Sequence, residues 1–190
     1  ELSPLGQAEW VKLVGLFIGK GREANEVFEG IEKRYNDLKD KVQGAKFEVL
    51  PTVTSGEMHY GLWRAVGGRN YLAQLFRDAG SDYVIKDDEE AGENLEFEKM
   101  YALSANADYW RILNSFPGDF SYDALKASEP RNALFKAFRE RQVIYCNMKQ
   151  TPYYEISPVE PDVLLKDLVA IFHPELVEKG YKPKYYTLLK

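Results

Sequence analysis

From Phe47 onward the chain alternates between two hydrophobic periods, and this alternation limits its fold more than any other feature. Phe47 to Thr54 (FEVLPTVT) is apolar and β-branched and reads as a strand. Pro51 inside it implies an edge position or a late start. Asn70 can cap a helix whose Leu72, Leu75, Phe76 and Ala79 share one face, with Gly80 at the stop position. Asp82 to Lys86 (DYVIK) is a short strand, and a helix from about Glu96 to Asn106 carries Phe97, Met100 and Tyr101 on one side. Ala107 to Leu113 (ADYWRIL) is a third strand. Short helical segments over Ser121 to Arg141 turn Leu134, Ala137 and Phe138 inward. Val143 to Met148 (VIYCNM) is a fourth strand. Pro161 then opens a helix faced by Leu164, Leu165, Leu168, Ile171 and Phe172, and Pro174 ends it. The tail from Tyr181 to Leu189 reads as extended or irregular. The order β-α-β-α-β-α-β-α predicts an α/β fold, a parallel-sheet, Rossmann-like lobe with helices on both faces. Right-handed crossovers put every post-strand loop on one edge.

A long helical segment precedes this lobe. Ser3 can cap and Pro4 can occupy a first turn, where its missing N–H costs nothing. Trp10, Leu13, Val14 and Phe17 then form one stripe. After a break at Gly19-Lys20-Gly21, Phe28, Ile31, Tyr35, Leu38 and Val42 form another. Amphipathic helices are stabilised mainly by what they pack against, so both stripes require a partner surface. The chain divides on this reading into a helical segment, 1–43, and an α/β lobe, 44–190.

Composition excludes a few classes. A net charge of −5 argues against a nucleic-acid partner, which favours a basic surplus. No apolar run approaches a membrane span. One cysteine, Cys146, forbids an internal disulfide, and its apolar strand makes it a small buried hydrophobe. The sequence begins at Glu1 rather than Met, so a processed or truncated product is expected, and a missing signal segment says nothing of compartment.

In an open parallel sheet, ligands bind outside the carboxyl ends of the strands. The loop after the first strand holds His59, Tyr60, Trp63, Arg64 and Arg69 among four glycines. The loop after the second strand is acidic, Asp87 to Glu93, and reads as a solvated turn. The third loop brings Phe116, Phe120 and Tyr122, and the fourth brings Lys149, Tyr153 and Tyr154. Aromatic faces supply contact area and cations orient acceptor oxygens, which suits a large, partly apolar, partly anionic ligand. The expected ligand-binding set is Tyr60, Trp63, Arg64, Arg69, Tyr122, Tyr153 and Tyr154. Trp63 could instead anchor packing, and Tyr153-Tyr154 could simply cover the sheet end. Trp110, inside a strand, is expected in the core.

Enzyme signatures are sparse. His173 ends a helix, where an imidazole suits the dipole and a structural role. His59 is a candidate metal ligand with no second soft ligand near it in sequence, so no metal site is assigned. There is no G-x-S-x-G elbow and no P-loop. Gly67-Gly68 ahead of a helix resembles an anion site, but G-x-G-x-x-G is absent. No catalytic residue is expected.

The stretch SPLGQAEWVKLVGLFIGK resembles the interlobe helix region of class III substrate-binding proteins of ABC transporters for iron–siderophores, haem and cobalamin, most of all the Bacteroides-type versions. PTVTSGEMHYGLWRAVGGRNYLAQLFRDAGSDYV resembles the first strand, loop and helix of that family's C-terminal lobe. LEFEKMYALSANADYWRI resembles its acidic helix and next strand, and DVLLKDLVAIFHPEL its closing helix. The resemblance implies a two-lobed binding protein that performs no chemistry, needs no cofactor, and hands a metal chelate to a membrane permease. Iron–siderophore is the first expectation and haem or cobalamin the next. It implies that Tyr60, Trp63 and Arg64 face the cleft. It also implies that Glu98, with Glu96 as near alternative, docks on the permease, and that the protein is periplasmic or lipid-anchored. Such a protein carries another α/β lobe before Ser3. The chain is therefore expected to be interlobe helix plus C-terminal lobe, with the uncovered helix face exposed or met by a second copy. The alternatives are a small α/β enzyme, or a non-catalytic interaction domain, with its site at the same edge.

Overall fold

A computed structural model describes residues 3–190, so the first two residues of the expected 1–43 segment lie outside the described part. The helical opening comes in three pieces: α1 (Pro4–Ala8), α2 (Trp10–Phe17) and α3 (Gly21–Gly44). Ser3 Oγ accepts the N–H of Gly6 at 3.0 Å, and Pro4 takes the first helical position, as the sequence implied. At 24 residues α3 is about 36 Å long. Ala24, Phe28, Ile31, Tyr35 and Val42 are its buried stripe. Phe28 and Ile31 pack with Ala8 in a satellite cluster, while Tyr35 and Val42 join the main core. Tyr35 donates its hydroxyl to Asp78 at 2.7 Å, fixing α3 against the lobe. A Cβ on Gly15 would lie 2.3 Å from Ala24 Cβ, so α2 and α3 cross at backbone distance. The other side of α2 is bare: Trp10 is 54% exposed and Phe17 81%, with Leu13, Val14, Leu16 and Ile18 also exposed.

The lobe is built on β1 (Thr52–Ser55), β4 (Asp82–Tyr83), β6 (Tyr109–Asn114), β7 (Val143–Asn147) and β8 (Thr187–Leu188), in the order β4-β1-β6-β7-β8. The first four are parallel and β8 is antiparallel to β7. Pro51 marks a late start rather than an edge: β1 begins one residue after it and lies between β4 and β6. Helices α4 (Tyr71–Asp78) and α9 (Pro161–Phe172) cover one face with α3. The other face is covered by α5 (Phe97–Ser104), α6 (Tyr122–Ser128) and α7 (Lys136–Arg139). Alternation along β6 points Trp110 and Ile112 to the second face and Arg111 and Leu113 to the first.

Two segments differ from the sequence reading. Residues 55–69 are not a loop but hold β2 (Met58–His59) and β3 (Leu62–Ala65), which pair with β5 (Glu93–Leu95) in a small antiparallel sheet. The turn is Tyr60-Gly61, both with positive φ, the requirement of a type I′ hairpin. The tail is also more ordered than expected. Buried Asp167 on α9 accepts the N–H groups of Lys184, Tyr185 and Tyr186 and the hydroxyl of Tyr181. Those four bonds draw the tail across the sheet and let β8 form.

Candidate functional site

The loops leaving β1, β6 and β7, the small sheet, and a short helix α8 (Tyr153–Ile156) gather at the carboxyl edge of the sheet. Two polar clusters lie there, one on each side.

On the α4/α9 side the centre is Arg111, 9% exposed. Its Nε donates to Tyr186 Oη at 3.1 Å, and its Nη2 donates to Tyr186 Oη at 2.7 Å and Tyr153 Oη at 3.4 Å. Tyr153 and Tyr186 bond each other at 2.5 Å. The guanidinium carbon also lies 5.2 Å from the Tyr186 ring centre, within cation–π range. Burial disfavours the charge, the tyrosine oxygens oppose that, and the guanidinium stays protonated. A cavity of about 250 Å³ opens here, lined by Arg111, Tyr71, Asn70, Leu113, Tyr153 and Tyr154 among others. Burial raises the hydroxyl pKa of Tyr71 well above its ordinary value, so it too remains protonated.

On the opposite side Glu57 Oε2 accepts from Asn114 Nδ2 at 3.3 Å, and Asn114 Oδ1 accepts the Tyr145 hydroxyl at 2.8 Å. Glu57 Oε1 is buried without a hydrogen-bond partner among the described residues and lies 3.5 Å from His59 Nε2. Burial pushes the Glu57 carboxyl up, partly countered by Asn114, His59 and Arg111.

The structure sorts the expected residues. Trp63 is fully buried, stacked 5.3 Å from Trp110 and 5.4 Å from Phe135, and its Nε1 donates to Ser55 O at 3.0 Å. It is a core anchor and not a cleft residue, because strand alternation in β3 turns Trp63 inward and Arg64 outward. Tyr60, Arg64 and His59 share the outer surface of the small sheet with Asn94, around a hollow of about 260 Å³. Tyr122 is also corrected: it is buried, and its hydroxyl accepts the N–H of Val143 at the amino end of β7, away from the ligand edge. Arg69 does not reach inward either. Its nitrogens lie 3.4 Å from Asp88 and from Glu90, so the acidic loop already balances its charge. Gly67-Gly68 serve that same loop. A Cβ on Gly68 would sit 2.3 Å from Asp87 O, a close backbone approach rather than an anion cradle.

Of the expected set, Tyr153 and Tyr154 line the Arg111 cavity, with Tyr153 buried and Tyr154 exposed. Glu98 is exposed on α5 and bonded to Arg131 at 2.9 Å, and Glu96 is exposed at the start of that helix. Arg111, Tyr71, Tyr186 and Glu57 were missed. The signal for Arg111 was a charge embedded in the apolar strand YWRIL, which needs a reason to be there. His173 and Cys146 are structural. His173 Nε2 is 2.8 Å from Gly80 O with its ring stacked on Phe47, and Cys146 is buried. Among the described residues, no three His, Cys, Asp or Glu side chains cluster as metal ligands.

Comparison with known proteins places these features in a context. The sequence profile of the periplasmic binding protein family matches residues 3–149. An uncharacterised lipoprotein of Methanocaldococcus jannaschii is 27% identical over 190 residues, covering 98% of this chain and 43% of the lipoprotein. A periplasmic haem-binding protein of Pseudomonas aeruginosa superposes with TM-score 0.74 at 18% identity, covering 97% of this chain and 64% of that one. An ABC-type Fe3+-hydroxamate transport protein of Saccharomonospora viridis gives TM-score 0.65 at 17% identity, covering 87% and 55%. At these identities the structural likenesses concern the fold. The chain spans about half the length of the curated relatives it matches, 43% and 52%.

Proposed function

Because this chain belongs to the periplasmic binding protein family, whose members bind solutes and are not enzymes, we propose that it is part of the substrate-binding component of an ABC importer for a metal chelate. An iron–siderophore is the leading ligand, with haem or cobalamin as alternatives. The supporting observation is the open carboxyl edge of the sheet, where a buried cation and tyrosines face a cavity as a partly apolar, partly anionic ligand requires. The relatives named for haem and Fe3+-hydroxamate share this fold.

On this reading the chain supplies the C-terminal lobe and its spine, α3. The bare apolar face of α2 is where the remainder of a two-lobed protein packs, or a second copy in its place. Exposed Trp10, Leu13 and Phe17 support that, because this much contiguous apolar surface marks an interaction face. Glu98 and Glu96 are the acidic points offered to a permease at the cell envelope, with the protein periplasmic or lipid-anchored. A basic permease residue would there compete with Arg131 for Glu98.

The test is titration of the full-length protein with ferric siderophores, haem and cobalamin, followed by tryptophan fluorescence. Saturable binding of one of them is the expected result. A folded protein that binds none would overturn the ligand assignment. The 190-residue chain alone should bind at least tenfold more weakly, because half a cleft leaves much of the ligand in water.

A further inference from the structure

The geometry points to Arg111 and Tyr71 as the receptor for a carboxylate arm of the ligand, seated between the carboxyl end of β6 and the first turn of α4. This rests on the solute-binding reading and adds to it the chemical class of the group that enters. Among the described residues, no carboxylate lies within ion-pair distance of Arg111; its partners are two tyrosine oxygens. Withdrawing a guanidinium from water is costly, and neutral hydroxyls restore less of that cost than an anion does.

Counting hydrogens identifies what is missing. Arg111 Nη1 has no acceptor among the described residues, and the residue lines the cavity. Tyr71 lines it too, and its hydroxyl has no hydrogen-bond partner among the described residues. Tyr153 and Tyr186 own two hydroxyl hydrogens between them. One is used in their mutual bond, and the other has no acceptor among the described residues. The cavity therefore offers donor hydrogens from Arg111, Tyr71 and the Tyr153–Tyr186 pair that no described side chain takes up, beside the neutral polar groups of Gln7, Asn70 and Ser157. The N-terminus of α4, an eight-residue helix beginning at Tyr71, adds its partial positive charge from the same wall. Such a lining favours an acceptor-only, negatively charged group. About 250 Å³ is below the usual size of a whole-ligand pocket, so one arm enters and the bulk of the ligand stays outside. A two-oxygen carboxylate can accept from an arginine nitrogen and a hydroxyl that line one cavity.

A carboxylate could come from a ferric chelate or from a free acid, and two probes separate the sources. Citrate and ferric citrate are titrated into the full-length protein, with ferrioxamine B, which lacks a carboxylate, as reference. The guanidinium 15N resonance of Arg111 is the site readout. Citrate should shift that resonance. Arg111→Gln should weaken ferric citrate at least tenfold more than it weakens ferrioxamine. Arg111→Gln also disturbs a packed sheet edge, so Tyr71→Phe is the companion: it removes an oxygen unpartnered among the described residues and should cost threefold or more with unchanged melting. Carboxylate affinity equal in wild type and both variants overturns the inference, as does phosphate competing better than citrate. A shift with citrate while no chelate binds leaves the carboxylate pocket standing and removes the chelate reading. Chelate binding with a silent Arg111 does the reverse.

Discussion

Replacing Trp63 by alanine separates packing from ligand contact at one position. The indole is fully buried between Trp110 and Phe135, and it holds Ser55 O at the end of β1. Truncating a core tryptophan costs about 3–5 kcal/mol through lost transfer energy and the cavity left behind. Leaving Ser55 O without its donor adds about 1 kcal/mol. The loss of about 4–6 kcal/mol is a large share of a domain's total stability of about 5–15 kcal/mol. With a urea dependence of about 2 kcal/mol per molar, the unfolding midpoint should fall by about 2–3 M. Trp63→Phe keeps much of the ring contact and loses the indole N–H, so its midpoint should fall by about 0.5–1 M, from a loss of about 1–2 kcal/mol. Urea unfolding followed by far-ultraviolet circular dichroism reads both. An unchanged midpoint for Trp63→Ala together with abolished chelate binding would refute the packing argument and return Trp63 to the cleft.

Two further outcomes follow from individual side chains. At Asp108, burial opposes ionisation, but hydrogen bonds from Lys136 and from Thr52 outweigh it and hold the carboxyl below its ordinary value. The folded pKa is below the unfolded one, so the ionised carboxylate stabilises above about pH 4 and that contribution fades as pH falls through the folded value. The stability gap between wild type and Asp108→Asn should therefore narrow on acidification from pH 6. A gap that widens instead contradicts the pairing. Cys146 has its thiol pushed up to about 11, chiefly by burial. At pH 8 it should react with Ellman's reagent only after urea unfolding, and free-thiol kinetics in the native protein would place it at the surface.

The sheet and its helices were legible because their signals are local and repeated. Leu72, Leu75 and Phe76 on α4 and Leu164, Leu165 and Leu168 on α9 are buried as their spacing implied. The small sheet was hidden because its strands are two to four residues long and its third member, β5, comes some thirty positions later in an acidic stretch. The turn Tyr60-Gly61 was the one local hint. Once β3 is seen as a strand, neighbours Trp63 and Arg64 must face opposite ways, and the two cannot both reach a ligand. The Arg111 cluster joins β6, α4, α8 and the tail, so no spacing within one segment announces it. Only the cost of a charge inside an apolar strand did. The tail was misread for a related reason: its order comes from Asp167, one buried carboxylate on the preceding helix α9, and not from any pattern of its own.

The contact of Gly15 on Ala24 has a mechanical side. With no side chain to act as a spacer, α2 cannot roll on α3 without opening a gap, and any larger residue at either position would wedge the helices apart. The apolar stripe of α2 is thereby held at a fixed angle to the carboxyl edge of the sheet, through a spine about 36 Å long. A body seated on that stripe would be oriented before any solute arrives, and little ordering entropy would be left to lose when it docks. The joint at this end of the molecule is a stiff bracket rather than a swivel.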